Sequence, residues 1–385
     1  MNKKNLFAIF TALILSFSLF TACTEEPPPE AEITASEWAK AIRIGWNIGN
    51  SLDASGPSTN TVEQLETAWG NPVTTKENIE TLKAAGFNGI RIPITWSKCL
   101  DSENNIREDW MARIKEVVGY CIDLDIYTII NTHHDSRFYR LNADGIESSK
   151  EALAKVWQQI AEAFKNYSDK LAFEGLNEPR TSGSANEWTG GTRAERNYVN
   201  ELNQIFVDTV RATGDNNVKR MLMVPTYAAS SEWSAMEDLQ IPSDPLNSVN
   251  KIIVSLHIYQ PHFFTLEGRG SGSATAIWEN STIHTSPIRE RFTNINILFT
   301  RNDIPVIIGE FGAMDRNNEE ARAAWAEYYV SSAKARNIPC FIWDNGVFLS
   351  DPGTSATAET FGFFDRRTNT FPFPLMLEGF MRGTE

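Results

Sequence analysis

Hydrophobic positions along the chain fall into two alternating kinds of segment. Short, nearly continuous apolar runs are typical of strands that are buried on both faces. These runs predict eight strands, at residues 41–49, 87–96, 126–135, 170–179, 219–227, 250–261, 304–313 and 338–346. The segments between them carry apolar residues at helical spacing, which predicts helices. We expect these helices at residues 75–86, 108–125, 150–166, 193–214, 230–239, 286–302, 319–337 and 371–383.

The alternation of strand and helix predicts an α/β fold. Eight such units in a chain of 385 residues match a single (β/α)8 barrel, or TIM barrel. A doubly wound sheet is the alternative, but no glycine-rich nucleotide-binding motif follows the first strand. The stretches 135–149 and 262–284 are polar, contain Gly and Ser, and are predicted to be loops.

The N-terminus has the pattern of an export signal. Two lysines precede an apolar stretch at residues 6–20, which is short for a membrane span. We predict a lipoprotein signal peptide over residues 1–22, with lipidation at Cys23, and a plain secretory peptide is the alternative. Residues 23–36 are acidic and Pro-rich, which predicts a tether, and residues 37–385 form the remaining domain. The chain is therefore expected to be lipid-anchored at the bacterial outer membrane or cell surface, or else secreted or periplasmic.

Composition excludes some partners. The formal net charge of −14 argues against nucleic acid and against an anionic membrane surface, so the lipid anchor is the only membrane contact expected. Cys99, Cys121 and Cys340 have no spacing typical of a metal site or a disulfide framework, and buried free thiols are expected. We expect a monomer that needs no cofactor.

Polar and aromatic residues gather where the predicted strands end. Active sites of (β/α)8 barrels lie at the C-terminal ends of the strands, so these side chains should meet at the barrel mouth. They are Asn47, Arg91, His133, His134, Asn177, Glu178, His257, Tyr259, Glu310 and Trp343.

Glu178 and Glu310 end the fourth and seventh strands, which lie across the barrel from each other. Two carboxyl groups on either side of a scissile bond are what glycoside hydrolysis requires, one as acid and the other as nucleophile or base. Arg91 would hold the nucleophile ionised; buried ion pairs are the structural alternative. His133 and His134 could be metal ligands, but they point in opposite directions on a strand and lack further ligands at zinc spacing. Hydrogen bonding to sugar is the favoured interpretation, and no metal is expected.

Six motifs in order, "GFNGIRIPITW", "NTHHD", "GLNEP", "LHIYQP", "GEFG" and "FIWDNG", resemble those of glycoside hydrolase family 5. "GWNIGNSLDA" and "WGNPVTTKENI" are similar to its subfamily of cellulases, lichenases and xyloglucanases, and the resemblance covers about residues 38–383. It implies that Glu178 is the acid/base, that Glu310 is the nucleophile, and that Asn177 binds the sugar 2-hydroxyl. Family positions that support substrate or nucleophile would be Arg91, His133, His257, Tyr259 and Trp343, with His134 and Asn47 as further sugar contacts.

The same resemblance implies retention by double displacement and an internally cleaved β-1,4-glucan, such as cellulose-type glucan, mixed-linkage glucan or xyloglucan. A mannanase of the same family and a non-catalytic glycan-binding surface lipoprotein are the alternatives. Sequence does not separate core from sugar-binding roles for Trp46, Trp69 and Trp188.

Overall fold

The structure, a computed structural model, describes residues 32–244, 250–355 and 357–385. The predicted signal peptide at 1–22, Cys23 and most of the predicted tether lie outside the described residues. Within the described ranges, none of the helices is long and apolar enough to cross a membrane.

Eight parallel strands close into a barrel in chain order, with each strand paired to its sequence neighbours and the last paired to the first. This confirms the predicted (β/α)8 fold. The strands are β1 (Gly45–Asn47), β2 (Gly89–Ile92), β3 (Tyr127–Asn131), β4 (Leu171–Glu174), β5 (Leu222–Ser230), β6 (Ile252–His257), β7 (Val306–Phe311) and β8 (Cys340–Ile342).

Helices surround the barrel and bury their apolar faces on it. They are α1 (Ala35–Ala41), α2 (Val62–Glu66), α3 (Lys76–Ala84), α4 (Glu108–Asp123), α5 (Ile146–Phe164), α6 (Arg193–Ala212), α7 (Trp233–Glu237), α8 (His262–Thr265), α9 (Thr282–Leu298), α10 (Glu319–Lys334) and α11 (Pro374–Gly383). The eight predicted helices correspond to α3–α7 and α9–α11.

Three helices (α1, α2 and α8) and parts of two others (α5 and α9) depart from the sequence prediction. The first two residues of helix α1, 35 and 36, fall within the predicted tether, and Thr34 and Glu37 form a capping box that satisfies N–H groups at the start of the helix. Helix α2 has five residues and is too short to show a helical repeat of apolar positions. The stretch 135–149 is not all loop, because α5 already begins at Ile146, and 262–284 contains α8 and the first turn of α9.

The barrel interior changes from apolar at the bottom to polar at the mouth. Ile129, Ala172, Met223, Ile253, Ile307 and Phe341 pack together with Trp38 of α1 and fill the lower part. A Cβ on Gly45 would lie 2.1 Å from the Phe341 ring, so glycine is needed where this ring crosses the floor. Glu174 and Ser255 occupy the next layer, two residues further along β4 and β6. The catalytic candidates therefore rest on a buried polar layer.

Candidate active site

The two predicted catalytic glutamates meet at the barrel mouth. Glu310 lies inside β7, and Glu178 lies in the loop that follows β4. One carboxylate oxygen of each lies within 4.8 Å of the other and of a ring nitrogen of His257. A register shift between β6 and β7 brings His257 level with Glu310. Residues far apart in sequence are thus within reach of a single glycosidic bond.

Glu310 is held at both oxygens. Arg91 Nη1 donates to Oε1 at 2.9 Å, and the Tyr259 hydroxyl donates to Oε2 at 2.9 Å. Burial and the charges of Glu310 and Glu178 raise the pKa of Tyr259 well above its usual value, so its hydroxyl keeps the proton that it donates. The Glu310 side chain is buried but reaches the cleft, which suits an oriented carboxylate nucleophile.

Arg91 is fully buried and uses its whole guanidinium group. Besides Glu310, it donates to Glu174 Oε2 from Nε (2.8 Å), to Asn47 Oδ1 from Nη1 (2.9 Å) and to Asn177 Oδ1 from Nη2 (2.7 Å). Asn47 also donates to the carbonyl of Gly309 and is fully buried. Asn47 therefore lies beneath Arg91, where it positions the guanidinium and is out of reach of a sugar.

Glu174 is a part of this site that the sequence prediction missed. It is fully buried and accepts from Arg91, from Asn131 Nδ2 (3.0 Å) and from Ser255 Oγ (2.5 Å). The signal available in the sequence is an acidic residue at the end of the apolar run of β4. Its importance follows from the pairing of β3 with β4, which sets Asn131 opposite Glu174.

Glu178 is paired with a histidine and an arginine. Its Oε1 lies 2.7 Å from His257 Nδ1, and its Oε2 lies 3.2 Å from Arg180 Nη1. Burial alone would raise the pKa of Glu178, but the hydrogen bond and charge of His257, followed by the charges of Arg180 and Arg91, lower it. Burial alone would lower the pKa of His257, but Glu310 and Glu178 raise it. In the free cleft the proton of this pair therefore resides mainly on His257.

The hydrogen bond from Asn131 fixes the tautomer of His133. Asn131 Oδ1 accepts from the Ile94 N–H, so the Asn131 amide nitrogen is the group that faces His133 Nδ1 at 3.1 Å. The lone pair of Nδ1 is then occupied and the proton lies on Nε2. Burial, followed by the charge of His134, lowers the pKa of His133 well below its usual value. His133 Nε2 is therefore a hydrogen-bond donor toward the cleft and a poor metal ligand.

Aromatic rings line the cleft and flank it. The Trp343 ring stacks on His133 with planes 3° apart and centroids 5.7 Å apart. Trp69, 40% exposed, lies against the half-exposed His134, whose Nε2 is 3.7 Å from Asp53 Oδ2. Trp188 is 58% exposed and lines the cleft. Trp46, by contrast, is fully buried and donates to Asp344, so it belongs to the core.

The cleft over the two glutamates has a volume of about 360 Å³. Eight of the ten predicted site residues line the cleft. Arg91 lies behind it and holds Glu310, and Asn47 lies below Arg91. The wall of the cleft also includes the carboxyl groups of Glu232 and Glu359, and the pKa of Glu359 is raised by burial and by the charges of Glu178 and Glu310. Glu359 lies in the polar loop after β8. The sequence prediction did not include it, because this loop has no hydrophobic repeat or motif that marks a site.

Comparison with known proteins gives consistent similarities. The profile described as cellulase (glycosyl hydrolase family 5) matches residues 52–348. Endoglucanase A of Clostridium longisporum is 42% identical over 353 residues, which cover 91% of this chain. The chain spans 66% of the length of that relative and 41% of the length of a second, a cellulase/esterase of Acetivibrio thermocellus.

Two solved structures extend the similarity to three dimensions. A broad-specificity endoglucanase from Ruminococcus champanellensis with bound cellotriose is 42% identical, with a TM-score of 0.85 and coverage of 91% of this chain and 99% of that one. A lichenase mutant from Caldicellulosiruptor in complex with cellotetraose is 39% identical, with a TM-score of 0.87 and coverage of 92% and 96%. With its barrel, its paired glutamates and a profile match over most of its length, the chain belongs to glycosyl hydrolase family 5.

Proposed function

We propose that the protein is a retaining, endo-acting glycoside hydrolase that cleaves β-1,4-glucosidic bonds in β-glucans. The spacing of the two carboxyl groups is the main support. Retaining enzymes hold these groups about 5–5.5 Å apart, and inverting enzymes hold them about 6.5–9.5 Å apart to admit a water molecule. One oxygen of Glu178 lies within 4.8 Å of one oxygen of Glu310, which fits the shorter spacing.

In the proposed first step, Glu310 attacks the anomeric carbon while Glu178 protonates the leaving oxygen, which yields a glycosyl-enzyme. Arg91 and Tyr259 hold the attacking carboxylate in one orientation. In the second step Glu178 removes a proton from water, and the resulting hydroxide displaces Glu310. Configuration is retained because two inversions occur at the same carbon.

The acid needs a proton, which the free cleft keeps mainly on His257. A single hydrogen bond of 2.7 Å joins His257 Nδ1 to Glu178 Oε1. Transfer of the proton along this bond turns an ion pair into a neutral pair, which becomes more favourable when substrate excludes water from the cleft. Glu178 and His257 then act as one unit with a shared proton.

The substrates we propose are cellulose-type glucan, mixed-linkage glucan and xyloglucan. The relatives above include a broad-specificity endoglucanase with cellotriose and a lichenase with cellotetraose. Trp343 inside the cleft, with Trp69 and Trp188 beside it, can stack on the apolar faces of successive glucose units. We propose that Asn177 and the Nε2–H of His133 bind sugar hydroxyls.

Reducing-sugar release from carboxymethyl-cellulose, barley β-glucan, xyloglucan and glucomannan tests this function, with Glu178→Gln and Glu310→Ala as controls. We expect release from one or more of the first three, and we expect it to fall by roughly four orders of magnitude in Glu310→Ala. Early NMR spectra should show the β-anomer of the new reducing end first. Release from glucomannan alone would indicate a mannanase, and binding without release would indicate a glycan-binding protein.

We also propose that the enzyme is an exported monomer that is lipid-anchored through Cys23. The apolar segment at residues 6–20 followed by Cys23 supports this proposal. Labelling with a radioactive fatty acid should mark the protein when it is expressed with its signal peptide, and Cys23→Ser should abolish the label. Release of unlabelled wild-type protein into the periplasm or medium would favour a plain secretory signal.

A further inference from the structure

Arg180 contacts the acid/base but has no part in the steps described above. Its Nη1 donates both to Glu178 Oε2 at 3.2 Å and to the Glu178 backbone carbonyl at 2.9 Å. Its Nε donates to Glu187 Oε1 at 3.0 Å, and its guanidinium lies over the Trp188 ring, 4.4 Å from the centroid. These four contacts fix a cation beside the carboxyl group that must gain and lose a proton.

The two oxygens of Glu178 thus have different partners. Oε1 faces His257, and Oε2 faces Arg180, which is the hydrogen-bond donor to that atom among the described residues. Other titratable or charged groups face the same carboxyl from β2, β6, β7 and the loops after β3, β6 and β8. They are Arg91, His134, Tyr139, His257, Tyr259, Glu310 and Glu359. Arg180 differs from these groups because it both pairs with Oε2 and packs on Trp188.

We propose that Arg180 is a positioning residue that orients Glu178 and sets the pH at which the Glu178–His257 pair loses its catalytic proton. This role rests on the proposed function, since it concerns the acid step of that reaction. A fixed cation favours the ionised carboxyl, so Arg180 makes Glu178 a stronger acid and moves the alkaline limb of the pH–rate profile to lower pH. Glu187 opposes this effect because it partly neutralises Arg180.

Arg180 also connects the acid to the cleft wall. Because the guanidinium covers one face of Trp188, a sugar unit can stack only on the other face. A sugar bound at Trp188 would therefore rest on the side chain that holds Glu178. Loss of Arg180 should loosen both the tryptophan and the carboxyl group.

The test is the pH dependence of kcat/KM on a cello-oligosaccharide for wild type, Arg180→Gln, Arg180→Lys and Glu187→Gln. Arg180→Gln should move the alkaline limb upward by about one pH unit, the lower end of the effect of a nearby opposite charge. Glu187→Gln should move it downward by less. Arg180→Lys keeps the charge, so the limb should stay near that of wild type while kcat falls about 10-fold through lost orientation.

Arg196→Gln is the matched control. Arg196 is a similarly buried arginine that pairs with Asp238 at 2.9 Å and does not contact Glu178, so its loss should leave the limb in place. An activated aryl cellobioside adds a second readout, because its leaving group departs without protonation. With that substrate Arg180→Gln should lower kcat/KM less than 3-fold, against at least 10-fold with the cello-oligosaccharide.

The proposal would be overturned if the alkaline limb of the kcat/KM profile did not move in Arg180→Gln, or if it moved in the same direction in Arg180→Gln and Glu187→Gln. Either result would leave the proposed function standing. Unchanged rates in Arg180→Lys would overturn the orienting part. A wild type without turnover on any β-glucan would overturn the proposed function itself, and the role of Arg180 with it.

Discussion

Replacement of Glu174 should damage both stability and catalysis. In Glu174→Ala, the buried Arg91 loses the carboxylate that lies 2.7 Å from its Nη2, and Asn131 and Ser255 lose their acceptor. Breaking a buried ion pair costs about 3–5 kcal/mol. Because Arg91 retains Glu310 as a partner, we expect the free energy of unfolding to fall by ~4 kcal/mol rather than more.

The substitution Glu174→Gln removes the negative charge of the side chain and keeps its shape. The Gln carbonyl oxygen can accept from Arg91 and Asn131, and its amide can donate to the Ser255 hydroxyl, so the hydrogen bonds survive. Loss of the charge should cost ~2 kcal/mol of stability. The full charge of Arg91 then acts on Glu310, which makes that carboxylate a weaker nucleophile. We expect kcat to fall about 10-fold, equivalent to about 1.4 kcal/mol of barrier.

Urea unfolding followed by tryptophan fluorescence and kcat on an aryl cellobioside measure the two effects. Glu66→Gln is the matched control, since Glu66 is also buried and paired with an arginine, Arg113 at 2.8 Å, but lies away from the cleft. It should lose stability with kcat unchanged. A loss below about 1 kcal/mol in Glu174→Ala, or an unchanged kcat in Glu174→Gln, would refute the assigned role of Glu174.

Two further predictions concern the partners of the glutamates. Tyr259→Phe removes a hydrogen bond to the nucleophile and should lower kcat roughly 10- to 100-fold with little change in unfolding free energy, measured by the same two assays; equal loss of both would contradict this. His257→Gln removes a group whose pKa is raised on folding by Glu310 and Glu178 against the effect of burial. Such a group contributes its full stabilisation of the folded state below its unfolded pKa of about 6.5. This stabilisation is lost as the pH rises through the pKa of the group in the folded protein. In urea titrations, the stability of wild type relative to His257→Gln should therefore be greatest below about pH 6.5 and fall as pH rises above it, and a rise would contradict the assigned pairing.

The elements and the mouth of the barrel were predictable because they depend on local patterns. Continuous apolar runs specify strands that are covered on both faces, and helical spacing specifies the covering helices. A parallel barrel then carries the residues after each strand to one end, so Glu178 and Glu310 could be paired without knowledge of any contact. Helices α1, α2 and α8 were not predicted, because α1 is signalled mainly by its capping box and α2 and α8 span little more than one turn.

The buried charge network was not predictable, because it depends on register between strands. Glu174 and Asn131 follow ordinary apolar runs, and only the pairing of β3 with β4 joins them beneath Arg91. Asn47 was predicted as a sugar contact, but the barrel interior places it below the guanidinium, where it has no access to the cleft.

The sequence by itself determined the family and the barrel, and it predicted that Glu178 and Glu310 meet at the barrel mouth, since periodicity and motif order are carried by neighbouring residues. The tertiary structure alone decided which chemically similar side chains do what. Trp46 is core while Trp69 and Trp188 are exposed, and Glu174 is a buried counter-ion while Glu310 reaches the cleft. Burial and the charges of partners distant in sequence govern these differences, and neither quantity exists until the eight strands close.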